Sequence, residues 1–176
     1  MKADLTQERV RELFDYDYEN GWLIRKQTRA GIPWNKPCGH KPICNGYGRV
    51  CIDGKGYFAH RIIWLWHYGS WPSNQTDHLD RNKINNRIEN LRDATGSENE
   101  QNKGLKGTNS SGFPGVSWHK RDKKYQAYIK INKKQIHIGC FTAAEEAHLA
   151  YQLAKIKYHP TSPIAQEYYR ELTLAG

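Results

Sequence analysis

The sequence predicts an α+β protein built as two modules. Three observations carry that reading. A polar, asparagine-rich stretch runs into a capped helix between Asp77 and Gln101; apolar and polar residues alternate from Val116 to Ile138 and give way to helical spacing after Gly139; and most of the charge imbalance sits in the second half. Residues 102–159 hold 11 Lys+Arg against 3 Asp+Glu, residues 1–101 hold 15 against 13, and the last 17 contribute −1 to the +9 of the 176-residue chain.

From the start of the chain, Thr6 to Phe14 reads as a short amphipathic helix with Leu5, Val10, Leu13 and Phe14 as its apolar positions. Asn20-Gly21 signals a hairpin between DYDYE and WLIRK, and Asp53-Gly54 signals another between RVCID and GKGYFAH. Phe58 to Tyr68 is apolar enough for a buried helix, and Gly69 suits its end. Trp71-Pro72 then leads into a strand at Asp77. Asp80 to Asn86 reads as a polar loop anchored by Ile84, Ile88 and Leu91. Thr95-x-x-Glu98 is a capping box, which places Asn99 in the first full turn of a helix.

Gln101 to Gly112 reads as a flexible basic linker. Beyond it, Val116 and Trp118 mark a first strand, Tyr125 to Ile131 a second, and Ile136 and Ile138 a third, with Asn132-Lys133-Lys134 at the turn. Thr142-x-x-Glu145 is expected to cap a helix whose apolar stripe is Ala144, Ala147, Leu149, Ala150, Leu153, Ala154 and Ile156. The module boundaries expected are therefore 1–100, a linker over 101–112, a sheet-and-helix module over 113–160, and a tail over 161–176.

Composition narrows the function classes. Mean hydropathy is −0.89 and no run of 18 apolar residues exists, which excludes a membrane-spanning helix. MKADLTQERV has no apolar signal core, so a cytoplasmic protein is expected. Cys38, Cys44, Cys51 and Cys140 show no CxxC spacing, and a structural zinc at Cys38, His40 and Cys44 is not expected. A basic module suggests a polyanionic partner, because Lys and Arg neutralise phosphates and release counterions.

The segment DHLDRNKINNRIENLRDATGSENEQN, Asp77 to Asn102, places Asn90 twelve and Asn99 twenty-one residues after His78. In this it resembles the HNH endonuclease family, in the variant where asparagine replaces the last histidine. The resemblance implies a strand-loop-strand-helix (ββα-metal) unit and a phosphodiester hydrolase. It assigns Asp77 and Asn99 to one divalent cation, Mg²⁺ or Mn²⁺, a hard ion suited to oxygen ligands. It assigns His78 as general base and Asn90 as the brace of the loop. His60-Arg61 resembles a feature found just upstream of many phage-type sites of this family, although packing on a core helix is the expected duty of His60.

Residues 112–159 resemble the DNA-binding domain of plant ethylene-response (APETALA-type) transcription factors, through Gly-Val near the start and the IGCFTAAEEA stretch. That resemblance implies a three-stranded sheet entering the major groove of double-stranded DNA. Ser117, His119, Tyr128, Lys130, Gln135 and His137 would face the bases, and Lys120, Arg121, Lys123, Lys124, Lys133 and Lys134 the phosphates. The arginines and tryptophans of the plant contact face are largely absent, so plant target specificity does not transfer. Trp118 fits either the core or DNA, the core more commonly.

Together these point to a metal-dependent DNA endonuclease of the mobile, homing type, working in a bacterial or phage-infected cell without an obligate protein partner. A DNA-binding protein that keeps the fold without cutting is the alternative. An RNA-directed nuclease is weaker, since A-form RNA hides the major groove.

Overall fold

The computed structural model describes residues 5–26, 35–105 and 109–174. It divides into two compact units between Asn99 and Glu100. The fold is α+β in both, with small antiparallel sheets and short helices. Among the described residues no helix is long and apolar enough to cross a membrane.

In the first unit, α1 (Gln7–Leu13) is capped by Thr6, whose hydroxyl accepts from the Arg9 amide at 3.3 Å. It leads directly into β1 (Phe14–Asp17), which pairs with β2 (Trp22–Arg25), and β2 pairs with β3 (Lys36–Cys38). β4 (Arg49–Ile52) and β5 (Lys55–Phe58) form the second hairpin. Its turn takes positive φ at both Asp53 (47°) and Gly54 (80°), the mirror-image turn that Asp-Gly favours. α2 (Ala59–Tyr68) follows and ends at left-handed Gly69. Ile62, Ile63 and Leu65 of α2 join Val10, Phe14, Leu23, Val50, Ile52 and Leu91 in one apolar core. Gln7 Nε2 and Arg11 Nε both donate to the Trp66 carbonyl, at 2.9 and 3.0 Å, which fastens α1 to α2. β6 (Gln75–His78), β7 (Leu91–Ala94) and α3 (Gly96–Gln101) complete the unit as strand, loop, strand and helix.

The second unit is a three-stranded antiparallel sheet, β8 (Val116–His119), β9 (Lys124–Ile131) and β10 (Lys134–Phe141), with α4 (Ala144–Tyr158) packed on it. Val116, Ala127 and Ala147 form the centre of its core, flanked by Phe113, Tyr125, Ile138 and Phe141. Four expectations change here. The β9–β10 turn is Asn132-Lys133 alone, at φ 49° and 65°, and Lys134 already belongs to β10. The Thr142 capping box does not form: β10 runs on to Phe141, the helix cap falls at Ala143, and the Thr142 hydroxyl instead meets the Glu146 carboxylate at 3.5 Å. Leu149 and Leu153 are 44% and 55% exposed, because the buried side of α4 is set by Ala144, Ala147 and Lys155.

The fourth change is at the chain end. Residues 163–174 form a helix, α5 (Pro163–Leu174), that buries Ile164, Ala165 and Tyr168 and packs against α4. Ser162 starts it, accepting from the Ala165 amide at 3.1 Å, with Pro163 in the first turn, where a missing N–H costs nothing. Of the expected linker, residues 106–108 lie outside the described residues. Asn109 and Ser111 are tied into the sheet module: Asn109 Nδ2 donates to the Phe113 and Val116 carbonyls at 3.0 and 3.1 Å, and the Ser111 hydroxyl donates to Val116 at 2.9 Å.

Gly115 sits at φ 74°, and a Cβ there would fall on the Tyr151 ring. Both conformational strain and overpacking oppose any side chain. Gly115→Ala should therefore destabilise the sheet module by about 2 kcal/mol or more, read from urea unfolding.

Candidate active site and nucleic-acid interface

The residues from Asp77 to Asn99 owe their placement to hydrogen bonds more than to apolar packing. His78 ends β6 opposite Leu91, and the chain then loops out and returns through a 3-10 turn at Ile88–Asn90. Asn90 is 8% exposed and spans the base of this loop. Its Oδ1 accepts from the Asp80 amide at 3.0 Å, while Nδ2 donates to Asp80 Oδ1 at 2.9 Å and to the Asn85 carbonyl at 2.7 Å. Burial pushes the Asp80 carboxyl up, but hydrogen bonds from Asn85, Asn82 and Asn90 outweigh it and hold the group ionised below its usual range. From outside, Tyr16 donates its hydroxyl to the Asn86 carbonyl at 3.1 Å and accepts from the Ile88 amide at 2.9 Å. Burial raises that phenol to about 12, so it remains a donor at any working pH.

His78 is 3% exposed. Its Nε2 lies 3.0 Å from Asn86 Oδ1, itself in a side chain only 1% exposed. A carbonyl oxygen only accepts, so the ring proton belongs on Nε2 and the lone pair on Nδ1. The rings of His60 and Tyr47 lie 5.1 and 5.9 Å from that of His78. Burial lowers the His78 pKa more than Asn86 and the nearby aspartates raise it, so the imidazole is neutral, as a base must be.

Asp77, 9% exposed, is held by Arg92 from the opposing strand: Nε and Nη2 reach Asp77 Oδ2 at 3.1 and 2.9 Å. Arg92 Nη2 also reaches the Glu98 carbonyl at 3.4 Å, which ties the strand pair to α3. The capping box forms as expected there: Glu98 N to Thr95 Oγ1 is 3.3 Å and Thr95 N to Glu98 Oε2 is 2.8 Å. Asn99 stands in that first turn, and its Nδ2 donates to Gln75 Oε1 at 2.7 Å. Gln75 lies two residues before Asp77, on the same side of β6. The Asn99 amide is thereby oriented with its oxygen as the remaining donor atom. One carboxylate and one amide oxygen suit a hard divalent cation, although Arg92 already supplies positive charge to the Asp77 carboxylate. Among the described residues no three His, Cys, Asp or Glu side chains cluster as a metal site, and all four cysteines are free thiols.

In the second unit the strand register puts the expected contact residues on one face. Ser117 pairs with Gln126, His119 with Lys124, Tyr128 with His137, and Lys130 with Gln135. Gln126 and Cys140 share that face and were not expected: Tyr128 donates to Gln126 Oε1 at 2.7 Å, and His137 Nε2 lies 3.5 Å from Cys140 Sγ. Trp118 lies on the other face, opposite Tyr125, with ring centroids 4.8 Å apart. Lys120, Arg121 and Lys123 occupy the exposed β8–β9 turn, where Asp122 draws both Arg121 (2.8 Å) and His119 (3.1 Å). Lys124, Lys130, Lys133 and Lys134 are exposed.

Asn86 and Arg92 carry no signal that sets them apart in the sequence. Asn86 is one asparagine of several in its segment, and Arg92 becomes meaningful only once the β6–β7 register is known.

Burial of the two imidazoles has a consequence for stability. Burial, His78 and Arg61 lower His60 to about 3, and His78 is lowered as well, from an ordinary value of 6.5. Below pH 6.5 the unfolded chain takes up protons that the folded chain refuses. The stability is therefore complete above that pH and is lost as pH falls toward the folded values. Moving from about pH 7.5 to about pH 5.5 should cost roughly 1.4 kcal/mol through His60 alone. Urea unfolding at both values should show a smaller drop in His60→Phe.

Protein 3.8 of Escherichia phage T7 is 32% identical over 78 residues, 43% of this chain, and the match spans 64% of the phage protein, less than two thirds of its length. No solved structure matches. Residues 57–101, from β5 to the end of α3, match the HNH endonuclease family, in a chain similar to a phage protein.

Proposed function

We propose that the protein is a metal-dependent endonuclease of the homing type that hydrolyses one phosphodiester of double-stranded DNA. The observation that carries this is the buried neutral His78, pinned at Nε2 by Asn86 and placed beside Asp77 within the HNH-matched segment. His78 Nδ1 takes the proton of a water as its oxygen attacks phosphorus, the bond from phosphorus to the 3′ oxygen breaks, and a solvent water gives that oxygen its proton. The products are a 3′ hydroxyl and a 5′ phosphate. Asp77 and Asn99 would hold one Mg²⁺ or Mn²⁺, which when bound supplies positive charge to the leaving oxygen. Asn90 keeps the loop in shape, and Asn86 keeps the His78 lone pair on the reactive nitrogen.

The basic sheet is proposed to position the cut, with Ser117, His119, Tyr128, Lys130, Gln135 and His137 in the major groove and Lys120, Arg121 and Lys124 on phosphates. The support is the shared face in the strand register, together with the resemblance to the plant-type domain. One observation favours the non-cleaving alternative: Arg92 already neutralises Asp77.

Incubation with supercoiled plasmid and Mg²⁺ or Mn²⁺ decides between them. Wild type should nick; His78→Ala should not; and Asn86→Ala should lose about 10²-fold or more in kcat at little change in KM. The acid limb of the kcat profile should fall below pH 6.5, because burial depresses His78. No nicking in either metal, or undiminished nicking by His78→Ala, leaves the binding-protein reading. For the sheet, Lys124→Ala should weaken duplex binding evenly across sequences and reduce the slope of log K against log salt by about 1.

A further inference from the structure

His60, the second residue of α2, has no part in the chemistry described so far, yet it is 6% exposed and stands against the base. Its ring meets that of His78 edge to face, with centroids 5.1 Å apart at 74°. On its other sides it stacks on Phe58 at 5.6 Å and 15°, and tilts against Tyr47 at 5.0 Å. Its Nδ1 is sealed from solvent and has no hydrogen-bond partner among the described residues.

A stranded buried donor forfeits a full hydrogen bond, and an orphaned N–H is rarer than an under-used acceptor. The proton of the neutral ring therefore belongs on Nε2, and Nδ1 is the idle acceptor. Burial, His78 and Arg61 keep the ring neutral throughout the working pH range. Three aromatic rings fix the imidazole in place. The result is a rigid, uncharged N–H donor for which the described residues offer no acceptor, at ring-contact distance from a candidate general base. When a water attacks phosphorus, negative charge grows on the non-bridging oxygens, and a pre-set neutral donor stabilises that charge without reorganisation.

Resting on the nuclease reading above, we propose that His60 is a second catalytic residue, whose Nε2–H donates to a non-bridging oxygen of the scissile phosphate while His78 activates the water. Packing alone would be served as well by any aromatic ring. Donation requires the N–H.

The test is single-turnover nicking of supercoiled plasmid by wild type, His78→Ala, His60→Phe and His60→Gln, with duplex affinity and thermal unfolding measured on each. His60→Phe keeps a ring against Phe58, Tyr47 and His78 but has no donor, and should slow by about 10²-fold while binding duplex as wild type does. His60→Gln places an amide N–H near the position of Nε2 and should recover part of that loss. Nicking by His60→Phe at the wild-type rate, with His78→Ala inert, overturns the role of His60 and leaves the nuclease reading standing. If His60→Phe does not fold, His60→Gln decides: folded but as slow as His78→Ala, it overturns the proposal. A wild type that does not nick overturns both readings.

Discussion

The three hydrogen bonds of the Asn90 side chain are the constraint on which the HNH-matched segment depends. The loop between β6 and β7 is too polar to be held by a core, so its shape must come from hydrogen bonds within it. One amide, linking Asp80 at the exit of β6 with Asn85 near the far end of the loop, converts that segment into a closed frame. Asn86 follows Asn85 directly, so the same frame delivers the Asn86 oxygen to His78. The Tyr16 hydroxyl braces the frame from β1, joining loop geometry to the apolar core that contains Phe14, Leu23 and Leu91.

Charge sets the second constraint. The segment buries Asp77, His78 and His60 close to one another, and each answers the desolvation cost in its own way. Asp77 is paired with Arg92 through two nitrogens, a charge-assisted arrangement that also reaches the backbone of α3. The histidines answer by staying neutral. Cationic imidazoles at this spot would be opposed by burial and by Arg61 or Lys83 nearby. The site is therefore poised to accept a proton rather than to hold one, which is the requirement for a base acting on water.

Local signals in the sequence were reliable where no longer-range pairing competed with them. Thr95-x-x-Glu98 and Thr142-x-x-Glu145 are the same motif, yet only the first forms a capping box. Thr95 follows the end of β7 directly and is free to turn into α3. Thr142 follows a β10 that hydrogen-bonds to β9 as far as Phe141, and this pairing pushes the start of α4 past Ala143. The apolar stripe of α4 failed for a related reason. Small alanines next to the sheet set the buried side, which leaves Leu149 and Leu153 outward and Lys155 inward, its amine lowered by burial to about 8 and bonded to the Gln101 carbonyl at 2.7 Å. Ser162-Pro163 starts α5 within the segment expected to be a tail, so this helix start was passed over.

Asp77, His78, Asn90 and Asn99 were singled out through the resemblance to the HNH family that their spacing carries, and they stand on a strand, a 3-10 turn and a helix start. Asn86 and Arg92 were not, since each matters only through a partner brought close by pairing: His78 for the one, Asp77 for the other. His60 lies between these cases. Its place on α2 follows from the apolar run around it, but its meaning depends on the ring it faces eighteen residues later in the chain. A buried imidazole on a core helix is ordinary when its nitrogens are bonded and the helix merely packs. Here Nδ1 has no partner among the described residues and the neighbouring ring is that of the candidate base, which is why a role beyond packing is proposed for His60.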